Sequence, residues 1–173
     1  LDGAYAEYIE DFDPGLKLVD KKSNLFVLRT FSKIHGLASL RVGWGYGSAD
    51  VVNALMRVKG PFNISSAAQE SAIAAILDTD YVKKCRLENI VQRDKLANEL
   101  KKIGISSDHS FGNFILMRFP NSRIATSVNA FLKENGLIVR NMDNYGLRSA
   151  LRVTVGTPSD CKTFLDTLKK YKE

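Results

Sequence analysis

The sequence predicts an α/β protein built from two domains, and two observations support that prediction. Short apolar runs of strand length alternate with longer segments in which apolar residues recur at helical spacing. A polar break at residues 78–81 separates two patterns, because strands typical of a parallel sheet precede it and a smaller sheet backed by helices follows it. We expect one domain over residues 1–79 and an α+β domain over residues 80–173.

The first domain is expected to contain two strands and two helices. Gly60-Pro61 ends the first helix, since proline cannot continue a helical hydrogen-bond ladder. Ser66 and Gln69 form a capping-box pattern that opens the second helix. That helix has small residues on nearly all sides, which predicts that it is buried between other elements. The expected elements are strands over 25–28, buried in a parallel sheet, and 41–46, and helices over 48–59 and 66–77.

The second domain is expected to combine three strands with three helices. Gly104 closes the first helix and Asn135-Gly136 closes the second. The run 157–160 caps the last helix, whose apolar stripe at positions 161, 164, 165 and 168 predicts a buried face. The expected elements are helices over 81–103, 124–134 and from 158 onward, and strands over 114–117, 137–139 and 151–155.

The composition narrows the functional classes. The chain of 173 residues is 45% hydrophobic and 25% charged, as in a globular protein that buries a core. Much of its basic excess, within a net charge of +6, lies at residues 83–102, which we interpret as a solvated helix face rather than a nucleic-acid patch. No apolar run approaches the ~18 residues of a membrane helix, so we expect a soluble cytoplasmic protein. Cys85 and Cys161 are expected as reduced thiols, with no metal site.

One segment carries most of the chemical information. Residues 29–44 read Arg-Thr-Phe-Ser-Lys-Ile-His-Gly-Leu-Ala-Ser-Leu-Arg-Val-Gly-Trp and follow the first strand. This motif resembles the cofactor-lysine segment of fold-type-I pyridoxal-phosphate-dependent enzymes, and within them the histidinol-phosphate aminotransferase family. The resemblance spans nearly the whole chain. It implies that the chain is the C-terminal half of such a protein, with the end of the large cofactor-binding domain, whose sheet is mainly parallel, followed by the small domain.

The resemblance implies a role for each residue around the lysine. Lys33 would bond the aldehyde of pyridoxal 5′-phosphate and then carry the proton that moves during amino transfer. Arg41 would hold the cofactor phosphate, with the hydroxyls of Thr30 and Ser32 beside it. A lysine just past the carboxyl end of a strand also lies in the usual ligand crevice of an open α/β sheet. His35 is interpreted as a supporting or surface residue, because the family needs no histidine there.

Two residues at the start of the chain extend the expected cofactor site. Asp2-Gly3-Ala4-Tyr5 resembles the family's Asp-x-Ala-Tyr, although the family commonly has Glu at the position of Gly3. The resemblance implies that Asp2 pairs with the pyridine nitrogen and keeps it protonated, which makes the ring an electron sink. It also implies that the Tyr5 hydroxyl bonds the cofactor's 3′ oxygen. The alternative for Asp2 is a turn residue at a strand end.

Three residues of the second domain are expected at the substrate. Segments 136–140 and 151–157 match the family, which implies that Arg152 binds the substrate α-carboxylate and that Arg140 helps to bind its phosphate or carboxylate. An arginine within an apolar strand is costly unless it is paired, which favours a site role on physical grounds. A salt bridge within the domain is the alternative for both. Asn113 either lines the site entrance or satisfies a turn.

Three functions follow from these residues. The first is a homodimeric transaminase that moves an amino group between L-glutamate and imidazole acetol phosphate in histidine biosynthesis, or a related aromatic aminotransferase. The second is an amino-acid-phosphate decarboxylase of the same fold. The third is a non-catalytic fragment that acts as an assembly module. The expected partners are amino-acid and keto-phosphate substrates, with neither nucleic acid nor membrane.

Overall fold

The computed structural model describes residues 1–172, which form two compact units divided after Arg86. The first unit contains α1 (Leu16–Val19), β1 (Phe26–Thr30), β2 (Gly43–Gly47), α2 (Ala49–Val58) and α3 (Ser66–Leu77). Helix α4 (Thr79–Lys102) contains the dividing point. The second unit continues with β3 (Ser106–Ser107), β4 (Phe114–Arg118), α5 (Ser122–Glu134), β5 (Arg140–Asn141), β6 (Ala150–Thr154) and α6 (Pro158–Leu168). Strands and helices alternate in both units, which confirms the predicted α/β class.

The first unit is organised around the hairpin of β1 and β2. The two strands pair antiparallel from Phe26 opposite Gly47 to Thr30 opposite Gly43. The Phe26 ring lies against β2 at Gly45 and Gly47, where any side chain would collide with it. Glycine at these positions therefore gives the ring its place on the hairpin.

The strand expected over 25–28 is present, but within residues 1–172 its parallel pairing and its burial are only partial. The parallel neighbour is a single bridge between Asp2 and Leu28, while β2 pairs antiparallel on the other side. Val27 is fully buried, but the Leu28 side chain is 51% exposed. The apolar run indicates a strand correctly, but residues 1–172 supply no element that covers its second face.

Helix α3 is also less buried than its composition predicts. Its one fully buried residue is Ala68, which packs with Phe31 and Val42 in a small apolar cluster. On the other side, Ile73 and Leu77 are 56% and 75% exposed. Small residues permit close packing on any side of a helix, but a side is buried only where another element packs against it. The cap also differs by one residue, since the Ser65 hydroxyl accepts from the Ala68 amide.

The second unit is a four-stranded antiparallel sheet backed by helices. The strand order is β3-β4-β6-β5, with β4 and β6 paired from Phe114 opposite Thr154 to Arg118 opposite Ala150. Alternate residues of these strands point into one core with α4, α5 and α6. The stripe of α6 is buried as predicted, and Thr157 and Asp160 form the capping box that begins this helix.

Two predictions in the second unit are wrong. The strand expected over 137–139 lies instead at Arg140–Asn141, because the Leu137 amide bonds the Leu132 carbonyl and so completes the end of α5. Arg93, which the helix pattern assigns to a solvated face, is 9% exposed. Its guanidinium pairs with Asp94 on the same helix at 2.9 Å, and it also donates to the Phe111 carbonyl in the loop before β4 at 3.4 Å.

Within residues 1–172, no helix combines the length and apolarity that crossing a membrane requires. Over the same residues, no group of three or more His, Cys, Asp or Glu side chains could hold a metal ion. Cys85 and Cys161 are both free thiols, half-buried and buried respectively, as the sequence predicts.

Candidate active site

The first residues of the chain run parallel to β1 and bring two candidate residues alongside it. The Leu28 amide donates to the Leu1 carbonyl at 2.9 Å, and the Gly3 amide donates to the Leu28 carbonyl at 2.8 Å. A Cβ on Gly3 would lie 2.9 Å from that carbonyl oxygen, so a side chain here would force the two segments apart. Asp2 therefore lies beside Leu28, and Tyr5 lies further towards the carboxyl end of β1.

The segment that carries Lys33 is a closed loop between β1 and β2. The Phe31 amide donates to the Val42 carbonyl at 3.2 Å, which extends the hairpin pairing, and the Leu37 amide donates back to the Phe31 carbonyl at 2.9 Å. Gly36 turns the chain with a φ of +73°, a conformation that favours glycine. Phe31 and Ile34 on either side of the lysine are buried. The loop backbone is thus anchored around Lys33.

The Lys33 amine lies next to an aromatic face. Its Nζ is 5.4 Å from the centre of the Tyr5 ring. Among residues 1–172, it takes part in no ion pair with a carboxylate. A half-buried amine without a carboxylate partner suits reaction with an aldehyde.

Thr30, Ser32 and Arg41 lie where the loop leaves and rejoins the hairpin. The Ser32 amide donates to the Thr30 hydroxyl oxygen at 3.0 Å, so the hydroxyl hydrogen of Thr30 is free to donate elsewhere. Arg41 adopts a φ of +53°, unusual for a residue other than glycine, and its Nη1 donates to the Ala38 carbonyl at 2.8 Å. The guanidinium is exposed and has further N–H donors, as an anion site requires.

Asp2 uses one carboxylate oxygen within its own turn. Its Oδ1 accepts the Ala4 amide at 3.0 Å, in a turn that fixes the side chain, and the residue is exposed. Both the turn role and the ligand role considered from the sequence are therefore compatible with this geometry.

A buried ion pair next to the lysine loop was not foreseen from the sequence. Glu7 Oε1 accepts from Arg29 Nη2 at 2.7 Å and from Nε at 3.0 Å, and both side chains are 13% exposed. Arg29 Cζ also lies 5.5 Å from the centre of the Trp44 ring. The two ionic partners are 22 positions apart in the chain and share no motif, so only the fold reveals the pair.

Two further polar groups, a buried phenol and a half-buried imidazole, flank this pair. Burial raises the pKa of Tyr8 to about 12, so its phenol is neutral at ordinary pH. Burial also lowers the pKa of His35, whose ring stacks at 4.9 Å on Phe31. The His35 Nδ1 atom is buried and has no hydrogen-bond partner. His35 thus contacts the lysine loop through Phe31, and the supporting role expected for it stays a prediction.

In the second unit, Arg152 lies on the sheet face opposite the core. Its neighbours along β6, Leu151 and Val153, are buried in the core, so Arg152 points the other way. Its guanidinium carbon lies 4.9 Å from the centre of the Phe114 ring. The Nε atom is buried and has no hydrogen-bond partner. No salt bridge of Arg152 is present in the described residues.

Arg140 is the direct cross-strand neighbour of Arg152. The two residues face each other in the pairing of β5 with β6, so their side chains share one face of the sheet. Arg140 Nη2 donates to the Tyr145 hydroxyl at 3.0 Å, and the side chain is exposed. Two like charges in directly opposed positions repel one another, and an anion bound between them would remove that penalty. Sequence spacing alone does not reveal this pairing.

Asn113 lies at the start of β4, as predicted. Its carbonyl accepts the Val155 amide at 2.8 Å, which begins the pairing with β6. The neighbouring carbonyl of Gly112 accepts from the buried side chain of Asn89 on α4 at 3.1 Å. Asn113 is therefore held in place by its backbone, and its half-buried side chain is free for another role.

This combination of a lysine loop beyond a strand and an arginine-bearing antiparallel sheet occurs in a chain with a clear family match. Residues 1–168 match the family model of aminotransferase class I and II, and the chain belongs to this family. The family resemblance inferred from residues 29–44 is thereby confirmed.

The similar proteins point to one branch of that family. The chain is 49% identical to the histidinol-phosphate aminotransferase of Ruegeria sp. (strain TM1040), over 99% of this chain and 48% of the relative. It is 48% identical, with the same coverage, to the histidinol-phosphate aminotransferase of Dinoroseobacter shibae. The chain thus spans about half the length of the curated relatives it matches.

Solved structures show the same fold. The histidinol-phosphate aminotransferase of Sinorhizobium meliloti, in complex with pyridoxal-5′-phosphate, superposes with a TM-score of 0.89 at 23% identity, over 98% of this chain and 48% of that one. The L-threonine-O-3-phosphate decarboxylase of Porphyromonas gingivalis superposes with a TM-score of 0.79 at 20% identity, over 98% and 53%. The fold-type-I architecture predicted from the sequence is therefore confirmed.

Proposed function

We propose that this chain belongs to a pyridoxal-phosphate-dependent transaminase that moves an amino group between L-glutamate and imidazole acetol phosphate, in histidine biosynthesis. One observation carries the proposal: the half-buried Lys33 amine, anchored beyond β1 and 5.4 Å from the Tyr5 ring, has no acidic partner in residues 1–172. The relatives at 49% and 48% identity, both named histidinol-phosphate aminotransferase, support this choice of substrate. The proposal includes a homodimeric, cytoplasmic protein with domains over 1–79 and 80–173.

The residues of the first unit fit pyridoxal 5′-phosphate. An anchored amine suits its aldehyde, and the spare donors of Arg41 and Thr30 suit its phosphate. The open oxygen of Asp2 suits a protonated ring nitrogen. When bound, the cofactor supplies an electron sink that stabilises negative charge on the substrate α-carbon.

Each residue of the first unit would then have a defined task. Lys33 would hold the cofactor through its amine and, when that amine is free, would move the proton at the substrate α-carbon. Asp2 would keep the ring nitrogen protonated, and the Tyr5 hydroxyl would donate to the ring oxygen. Arg41, Thr30 and Ser32 would hold the phosphate, so that binding energy at one end of the cofactor would orient the other.

The residues of the second unit bind the substrate's anionic groups. Arg152 has a buried Nε that lacks a partner, and it forms charge-assisted hydrogen bonds with the α-carboxylate. Arg140, directly opposite it, binds the phosphate or the second carboxylate. Asn113 contributes an amide at the entrance. Two arginines suit this task because glutamate carries two carboxylates, while imidazole acetol phosphate carries a single doubly charged phosphate and no carboxylate.

Trapping of the cofactor tests the role of Lys33. Pyridoxal phosphate is added to the chain, the adduct is reduced with borohydride, and the mass of the peptide that contains Lys33 is measured. The modified peptide is expected in the original chain and in Lys21→Ala, which removes an exposed lysine, but not in Lys33→Ala. Attachment of the cofactor is also expected to give a visible absorption band. If this band does not appear, or if it is unchanged in Lys33→Ala, the assignment of Lys33 is overturned and a non-catalytic assembly module is favoured.

Amino transfer is then assayed on a chain of the relatives' full length that contains residues 1–173. Glutamate and imidazole acetol phosphate are expected to give 2-oxoglutarate and histidinol phosphate. The fold of the Porphyromonas gingivalis decarboxylase makes amino-acid-phosphate decarboxylation the second candidate. Release of carbon dioxide without amino transfer would favour that candidate, and preference for an aromatic amino acid would favour an aromatic aminotransferase.

A further inference from the structure

Two polar side chains of α4 are almost completely buried. Asn89 is 8% exposed and Arg93, one helical turn further on, is 9% exposed. Such groups are costly to bury unless they make specific hydrogen bonds. Asn89 Nδ2 donates to the Gly112 carbonyl at 3.1 Å, and Arg93 Nη1 donates to the Phe111 carbonyl at 3.4 Å. Both bonds therefore reach the same short loop.

The loop they hold leads directly into β4. Gly112 is buried and has no side chain, so its position depends on its backbone bonds to Asn89 and to the Ser110 hydroxyl, at 3.2 Å. The next residue, Asn113, bonds Val155 through its carbonyl. Phe114 follows, and its ring is the surface on which the Arg152 guanidinium lies, at 4.9 Å.

We propose that Asn89 and Arg93 are positioning residues for substrate binding: by fixing residues 111–113 they set Phe114, and Phe114 sets the direction of Arg152. The inference rests on the proposed function, because it takes Arg152 as the α-carboxylate ligand. Arg152 has no ion pair of its own in the described residues, and its Nε lacks a hydrogen-bond partner. Contact with the Phe114 ring supports the Arg152 guanidinium on one side.

The arrangement has a specific consequence for kinetics. A loosened loop leaves Arg152 present but less well directed, so the affinity for a carboxylate substrate falls. The Lys33 loop belongs to the other unit and does not depend on residues 111–113 for its own hydrogen bonds. Loss of Asn89 should therefore raise the KM for glutamate and leave cofactor attachment unchanged.

The test uses Asn89→Ala, with Asn98→Ala as the matched control, in a chain of the relatives' full length. Asn98 lies on the same helix and is exposed, so the same change there removes no buried bond. We expect Asn89→Ala to raise the KM for glutamate about tenfold, equivalent to about 1.4 kcal/mol, with kcat changed less than about twofold. Borohydride trapping at Lys33 is expected to match the original chain. Amide hydrogen exchange of residues 112–116 is expected to accelerate.

A second variant covers the case in which Asn89→Ala does not fold. Arg93→Lys keeps the charge and a donor, and a smaller rise in KM with faster exchange at 112–116 is expected. An unchanged KM in a folded variant overturns the inference. A variant in which KM rises while kcat and Lys33 trapping fall by a similar factor also overturns it, because that result indicates general destabilisation. If the full-length chain without substitutions transfers no amino group, the proposed function fails. Glutamate binding is then measured by calorimetry. The inference stands if binding is weaker in Asn89→Ala, and it fails if binding is unchanged.

Discussion

The ion pair between Glu7 and Arg29 gives the sharpest test of how the lysine loop is held. Both side chains are 13% exposed, and one carboxylate oxygen accepts two N–H groups at 2.7 and 3.0 Å. In Glu7→Ala, the arginine keeps its charge in a largely buried place and loses its partner. Removing one partner of a buried pair costs about 3 kcal/mol, at the lower end of the usual range because this pair retains some contact with water.

The matched control is Glu10→Ala in the same segment. Glu10 is 75% exposed and lies 3.7 Å from Arg86, so this pair is screened by water. Its loss is expected to cost less than about 1 kcal/mol. The double variant Glu7→Leu with Arg29→Leu is expected to recover most of the stability, because it removes both charges together.

Urea unfolding followed by circular dichroism measures these differences, and thermal unfolding offers a second measurement. A loss of about 3 kcal/mol lowers the melting temperature by about 6–12 °C in a protein of this size. The reasoning is refuted if Glu7→Ala costs no more than Glu10→Ala, or if the double leucine variant is less stable than Glu7→Ala. Either result means that the pair does not govern the stability of the first unit.

Three further predictions concern the substrate site, the lysine loop and the last helix. Arg140→Ala should raise the KM for imidazole acetol phosphate by about tenfold or more, because a charge-assisted hydrogen bond is lost. Arg148→Ala, at an exposed turn, should leave this KM unchanged. Equal effects of the two variants in steady-state assays would contradict the role of Arg140. Gly36→Ala should destabilise the loop by about 1 kcal/mol and reduce borohydride trapping at Lys33, since φ is +73° there; unchanged trapping and stability would refute this. Hydrogen bonds from Thr157 lower the pKa of Asp160, so its stabilising effect is complete above the usual aspartate pKa and is lost as the pH falls through the lower folded-state pKa. Asp160→Asn should flatten this acid-side slope in urea titrations, and an unchanged slope would refute the assignment.

Local signals in the sequence predicted most elements of this chain correctly. The end of α2 before Gly60-Pro61, the closure of α4 at Gly104 and the capping box at Thr157 all lie where the pattern puts them. Each depends on residues within a few positions of one another, so no knowledge of the fold is needed. The lysine segment can also be recognised without knowledge of the fold, because its motif is continuous from Arg29 to Trp44.

Burial was predicted less well where it depends on distant neighbours. The composition of α3 is compatible with packing on every side, yet Leu77 is 75% exposed. The periodicity of α4 assigns Arg93 to water, yet the loop at Phe111 covers it. In both cases the local pattern shows which surroundings a helix tolerates, but whether a distant segment covers that side of the helix depends on the rest of the fold.

The sequence by itself determined the family, the order of strands and helices, and the candidate residues from Asp2 to Arg152, because motifs and periodicity are written in adjacent positions. The tertiary structure alone decided that Glu7 pairs with Arg29, that Arg140 faces Arg152, and that Asn89 holds the loop before β4. These contacts join residues 12 to 23 positions apart, and their strength depends on how much water the fold removes around them. Charge pairing and burial therefore follow from the folded chain as a whole.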